Sequence, residues 1–423
     1  MWLLALVAAP TIVVAYLQDE RAYQRYGAQK FLEAWHVGVV ALTIAVFAVG
    51  CRLGELGGAI PRAARPVSTR TIRFWWLLTT GLTLLGYAVW LAVAWKNGLR
   101  PGTIRDFLII DDPVIFEAMR EEYFRTIPGI TTCTQFGLAA VPLGMWLATR
   151  GERWPLVGSG MLMTIAAARA LVLSERLALL ELAVPAVFLG LRLVLLNRPL
   201  PAAARWALWG APALGLAGLV AMFAGSEFFR SWRYYVHEFD SYAEFTVWRI
   251  SGYYSTAHNN AAVALERGPR RPLPYYTLKT LWEFPGLEHT PLAYHRLTGL
   301  DVEATHKRLL EYYAAPEFNS EGGLFQPLIE YGLLGHGLFW LGYGWLAGRL
   351  YRGYMVGTLA GLVLYPLVAL SLLEVPRLLY LCYPRVFPGI CALVVVCWLA
   401  ERAARCQPAP IPDWSEEASC ASS

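Results

Sequence analysis

Apolar runs alternate with polar links along most of this chain, and nearly all of the runs approach the length of about 20 residues that a bilayer-crossing helix needs. The pattern predicts spans at residues 2–17, 31–50, 74–95, 132–148, 155–173, 177–196, 206–224, 324–346, 354–373 and 386–399. Two polar stretches interrupt it: 96–131, with Asp106, Asp111, Asp112, Glu117, Glu121 and Glu122, and the much longer 225–323. Arginine in the short links orients the whole, because cytoplasmic loops collect Lys and Arg. Arg52, Arg62, Arg65, Arg70 and Arg73 follow the second run against one acid, Glu55. Arg150 and Arg153, then Arg192, Arg198 and Arg205, then Arg349 and Arg352, then Arg402 and Arg405 mark the later inner turns. Both termini are therefore expected in the cytoplasm, with 96–131 and 225–323 outside.

The expected fold is an all-α polytopic membrane protein of about ten transmembrane helices, with a large external loop containing amphipathic helices. It divides into spans one to four (1–154), spans five to seven with a charged external turn (155–224), the external loop (225–323), spans eight to ten (324–405) and a cytoplasmic tail (406–423). Pro408, Pro410, Pro412 and a Ser/Glu-rich end make that tail read as disordered. Met1 to Leu17 has no basic start and reads as a first span instead of a cleaved leader.

Composition agrees. A chain of 423 residues that is 57% hydrophobic and 16% charged has too little polar surface for a soluble globule of that size. The net charge of +5 is taken up by the inner turns, so nucleic acid is not an expected partner. The seven cysteines follow neither a disulfide framework nor metal-ligand spacing, and no metal is expected. Cys133 and Cys382 are the only thiols placed for external cysteine chemistry, and neither has a suitable neighbour in sequence.

The candidate chemistry begins at 166–185, where Arg169, Glu175, Arg176 and Glu181 interrupt an apolar run. A charge inside the bilayer costs several kcal/mol or about 3 on insertion scales, so these groups need a reason. Arg169 and Arg176 share a face if the helix is continuous, and together they could grip one diphosphate. A turn near 174–176 opposes that geometry, and pairing with Glu175 and Glu181 is the structural alternative. The external loop opens with Phe228, Trp232, Tyr235, Phe239, Tyr242, Phe245 and Trp248 at intervals of three or four residues. That spacing predicts an amphipathic helix on the membrane surface, either as a structural belt or with Arg230, Arg233 and His237 as a cationic edge for phosphate. Next, Gly252, Tyr253, Tyr254, His258, Asn259 and Asn260 form a mix that can stack on sugars or simply cap helices. Glu330 enters the eighth span, and Glu374, Arg377 and Arg385 return charge to the external edge.

The order of RALVLSERLALLE (169–181), EFFRSWRYY (227–235), GYYSTAHNN (252–260), PEFNSEGGLFQPLIEYGLLG (316–335) and LLEVPRLLY (372–380) resembles the bacterial O-antigen and exopolysaccharide repeat-unit polymerases, the Wzy type. The resemblance covers roughly the C-terminal 60% of the chain. It implies a GT-C-like membrane glycosyltransferase, independent of metal and cofactor, that joins oligosaccharide units carried on polyprenyl diphosphate at the outer leaflet of a bacterial plasma membrane. Carried onto this sequence, Arg169 and Arg176 are diphosphate binders, with Arg230, Arg233, Arg249 and Arg377 as further candidates and Tyr253, Tyr254 and Asn259 on the sugar. His258, Glu175 and Glu330 are candidate bases, with no choice among them. A flippase and a chain-length regulator are the implied protein partners. An O-antigen-ligase-like transferase predicts the same arginines. A lipid-linked glycan transporter is the alternative from another class, but internal repeats of the kind transporters carry are not visible.

Overall fold

A computed structural model describes residues 2–57, 66–100, 102–103, 122–125, 127, 129–173, 176–197, 217–218 and 220–406. The described residues form helices and turns with no strand. The principal helices are α1 (Trp2–Leu17), α2 (Ala34–Leu56), α3 (Thr69–Lys96), α4 (Gly137–Ala148), α5 (Arg153–Val172) and α6 (Arg176–Asn197). They continue with α7 (Tyr242–Arg267), α8 (Val302–Tyr313), α9 (Gln326–Val356), α10 (Leu359–Glu374) and α11 (Phe387–Arg405). Apart from 206–224, which lies largely outside the described residues, each expected span coincides with a helix.

Coinciding with a helix is not the same as being long enough to span. Among the described residues three helices, α2, α3 and α11, are long and apolar enough to cross a membrane by length and composition, against the ten expected. α1 and α10 are apolar but have 16 residues each, about 24 Å of helix against a hydrocarbon core of about 30 Å. α9 has 31 residues but is broken at Gly332, whose φ of 67° and ψ of −174° are open to glycine and leave the helix path. Large apolar side chains face outward, among them Leu42, Val49 and Leu53 on α2, Phe74, Leu77 and Leu85 on α3 and Trp154 and Val157 on α5. Such faces need an apolar surround.

Two cores meet at α10. One joins α3, α4, α6, α10 and α11 through Trp76, Leu143, Leu189, Leu367 and Leu393. The other joins α1, α2, α7, α9 and α10 through Leu4, Phe47, Ala262, Trp340 and Leu372. α10 is buried on nearly all sides, which explains how so short an apolar helix is accommodated.

α2 and α9 form the most intimate pair. Gly50 and Gly54 on α2 face Gly344 and Gly348 on α9, each pair spaced by four. A Cβ on Gly54 would lie 2.1 Å from the Trp345 carbonyl oxygen, and one on Gly348 2.1 Å from that of Cys51. Small residues at this spacing let two backbones touch, and dispersion between the touching backbones then holds the helices.

The stretch opening the long polar region, 225–323, departs from the expected single surface helix. A helical segment at Phe228–Tyr235 ends in a turn, and α7 starts again at Tyr242 behind an Ser241 cap whose hydroxyl accepts from the Glu244 N–H at 3.1 Å. The turn folds the two pieces together, so Tyr235, Phe239, Phe245 and Trp248 stack on one another instead of lying in a membrane belt. The second half of α7 runs antiparallel to α1: Ser251 meets Gln18 and His258 meets Thr11.

Candidate functional site

Below the connector between α10 and α11 lies a cavity of about 270 Å³. α3 brings Tyr87 and Trp90 to it, the turn Thr131–Phe136 brings Thr131, Thr134 and Gln135, α5 brings Arg169, α6 brings Glu181, and the connector brings Arg385. Arg169 occupies the last turn of α5, where a cation meets the negative end of the helix dipole. Its guanidinium lies 4.5 Å from the Trp90 ring centre and hydrogen-bonds Tyr87. Glu181 is 6% exposed; it pairs with Arg385 and accepts from the Tyr380 hydroxyl at 2.5 Å. Burial and the neighbouring Glu181 push the Tyr380 hydroxyl well above its ordinary value, so it remains a donor. Among the described residues, the cavity therefore presents two guanidinium groups, one carboxylate and several neutral hydroxyl and amide groups, within an apolar bundle.

Of the charged residues singled out in the sequence at 166–185, Arg169 and Glu181 both line this cavity. Glu175 lies outside the described residues, as do the side chains of Arg176 and Arg230. Arg385, Tyr87, Trp90, Thr131, Thr134 and Gln135 were not singled out as site residues. Only Arg385, an arginine close to an apolar run, carried a signal in the sequence.

The remaining candidates are placed elsewhere. Arg249 is buried in an ion cluster, its Nε 2.9 Å from Glu227 and its Nη2 2.6 Å from Glu317, with the Phe318 ring centre 4.8 Å away. Its Nε and Nη2 are committed to carboxylates while Nη1 has no hydrogen-bond partner among the described residues, and the side chain ties three segments of the loop together instead of lining this cavity. Tyr253 is buried against Phe223 and Phe318, so it does not present a face for sugar, and Tyr254 is half-buried. Asn259 clasps the chain after α1: its side-chain oxygen accepts from the Phe31 N–H at 2.6 Å and its amide donates to the Gln29 carbonyl at 2.7 Å. Asn260 donates to the carbonyls of Phe318 and Ser320, at 2.7 and 3.0 Å.

His258 is fully buried and lines neither cavity. Its Nε2 is 3.1 Å from the Thr11 hydroxyl, and burial pushes its pKa down to about 3. It is a neutral packing residue. Glu330 is likewise a strut: its carboxylate accepts from the N–H groups of Tyr275, Tyr276 and Thr277 and from the Thr277 hydroxyl at 2.6 Å. Four donors on one carboxylate anchor the loop to the top of α9. Arg233 and His237 are exposed, and the turn at 236–241 removes the helical edge they were expected to share with Arg230. Cys382 is a protonated thiol, pushed up to about 12 by burial with Glu330 near. Among the described residues no group of three His, Cys, Asp or Glu side chains is placed to hold a metal ion.

Arg377 belongs to a second cavity, of about 450 Å³, on the other side of the same connector. Its guanidinium donates to Glu374 at 3.0 Å and packs 5.2 Å from the Tyr253 ring centre. The connector thus carries Arg385 and Tyr380 toward one cavity and Arg377 and Tyr383 toward the other. No family model, curated protein or solved structure matches this chain.

Proposed function

We propose that the chain is a membrane glycosyltransferase of the repeat-unit polymerase type, joining oligosaccharides carried on polyprenyl diphosphate. The observation that carries the reading is the cavity where Arg169 and Arg385 face Glu181 inside an apolar bundle. Two guanidinium groups at one cavity suit a diphosphate, whose oxygens can accept from both forks.

The reaction asks for electrostatics more than for bond-making groups. An acceptor hydroxyl oxygen attacks the anomeric carbon of the donor sugar, a new glycosidic C–O bond forms, and the bond from that carbon to the diphosphate oxygen breaks. The lipid diphosphate leaves with the electron pair, and the hydroxyl proton is lost to a carboxylate. Arg169 and Arg385 stabilise the charge that gathers on the leaving diphosphate. Glu181 holds Arg385 in place and is the carboxylate the cavity offers to the proton. The neutral groups of Thr131, Thr134 and Gln135 hydrogen-bond phosphate or sugar oxygens. On this reading the protein sits in a bacterial plasma membrane with about ten spans, its termini in the cytoplasm and this cavity at the outer leaflet. A flippase supplies the substrate and a chain-length regulator acts on the product.

Arg169→Lys tests it. The charge stays and the two-pronged contact goes, so chain extension on lipid-linked units falls by roughly 100- to 1000-fold while the protein still accumulates in the membrane. Surface glycan then shows single capped units without long chains. Loss of every attached sugar points instead to the ligase or transporter reading, and normal long chains overturn the transferase assignment.

A further inference from the structure

The second cavity has not been given a task. It lies between α8, the turn Pro316–Phe318 with the residues that follow it, and the connector, and its 450 Å³ falls within the roughly 300–1,000 Å³ of sites that enclose small organic ligands. Its wall carries three tyrosines, Tyr275, Tyr276 and Tyr383. Glu321 is the centre of its polar network. That carboxylate accepts from the Tyr383 hydroxyl at 3.0 Å and from the Gln326 amide at 3.0 Å, and pairs with Lys279 at 3.3 Å. Lys279 and Tyr383 in turn stack, the ammonium 4.4 Å from the ring centre.

Among the described residues, two buried polar atoms near this network have no hydrogen-bond partner: Nε of Arg377, which lines the cavity, and Oε1 of Gln326, which lies behind Glu321 and off the wall. Orphaned groups of this kind are costly unless something completes them. One is a donor and the other an acceptor. His306, Asn319 and Glu303 at the wall again mix donors with acceptors. Glu303 and Glu321 on the wall balance Lys307 and Arg377, and Arg377 is already paired with Glu374, so no surplus of cations favours a diphosphate here. An apolar tail would strand the polar groups. A ligand that both donates and accepts through many hydroxyls, with ring faces to lay on tyrosine, matches the mixed donors and acceptors of this wall.

We propose that this cavity binds saccharide, holding a short hydroxyl-rich segment of glycan. Resting on the glycosyl-transfer reading, it is the acceptor-side site. The connector 375–386 is then the wall shared by two substrates, with Arg385 facing the diphosphate and Arg377 facing the acceptor glycan.

The test uses the full chain in cells that make the glycan, with a photoreactive benzoylphenylalanine in place of His306 or, as control, of Tyr312, which is 75% exposed and does not line the cavity. Irradiation yields an adduct of raised mass that stains for carbohydrate at 306 and not at 312. Tyr383→Ala lowers its yield at least tenfold. Asn319→Trp, at an exposed position that leaves the core untouched, blocks the mouth and does the same. A 306 adduct free of carbohydrate, equal labelling at 312, or undiminished yield in both variants overturns the inference. The two readings fail separately: labelling at 306 with long chains intact in Arg169→Lys removes the transferase assignment alone, and absent labelling with chains lost in Arg169→Lys removes the saccharide site alone.

Discussion

The Arg249 cluster separates a structural arginine from a substrate-binding one. Arg249 and Glu227 have side-chain exposures of 1% and 0%, while Glu317 is 42% exposed. Replacing Arg249 with Leu leaves the Glu227 carboxylate charged and buried without its partner, a loss of roughly 3–5 kcal/mol. Glu317 adds little to that figure, because its carboxylate can turn into water. Replacing Arg249 and Glu227 together by Leu removes both charges, and apolar pairs of similar volume are about neutral or more stable. The double variant therefore returns to within about 1 kcal/mol of the parent despite carrying more changes than the single one. Thermal unfolding of the solubilised full-length protein, followed by tryptophan fluorescence, reads the stability, and glycan chain length in cells reads the activity. A structural Arg249 predicts a destabilised single variant and a double variant restored in both assays. If the double variant is as stable as the parent yet makes no long chains, Arg249 touches substrate and the assignment made from its burial is wrong. If the single variant unfolds no earlier than the parent, the ion cluster is not holding the loop.

Three further outcomes are expected. Gly54→Ile or Gly348→Ile pushes a side chain into backbone 2.1 Å from its Cβ and so costs roughly 1–3 kcal/mol or more, seen as a lower unfolding temperature, whereas the same change at Gly38, where a Cβ meets nothing within 4 Å, has little effect; equal effects at the three sites contradict the close α2–α9 contact. His258 stays neutral in the fold down to about pH 3, while in the unfolded chain it gains a proton near its ordinary 6.5. The unfolded state thus binds more protons between those values, so its contribution is complete above 6.5 and stability declines by about 2 kcal/mol from pH 6.5 to 5; His258→Asn flattens that decline, and an unchanged slope refutes it. Reporter fusions after residues 60, 115, 200 and 270 read in, out, in, out on the ten-span topology, and any reversed sign breaks it.

Helix positions were legible in the sequence because burial and lipid exposure both demand continuous apolar runs, and a run of that kind leaves a signal in every residue. Arg169 was legible for the same reason, since one charge among apolar neighbours stands out. Which polar side chains meet was not legible. His258, Asn259 and Glu330 look like chemistry when read along the chain, yet their partners, Thr11, Phe31 and the 275–277 backbone, lie roughly 50 to 250 positions away, and no local pattern encodes such distances. The surface-helix reading failed at 236–241 because a three-to-four-residue aromatic spacing fits both a membrane face and two short helices folded on each other. The apolar pattern and its interrupting charges thus came from the sequence by itself. The fold alone decided that Arg169 and Arg385 line one cavity, that Arg249 is sequestered, and that one short connector borders two cavities, because those facts depend on which distant segments share the space beside α10.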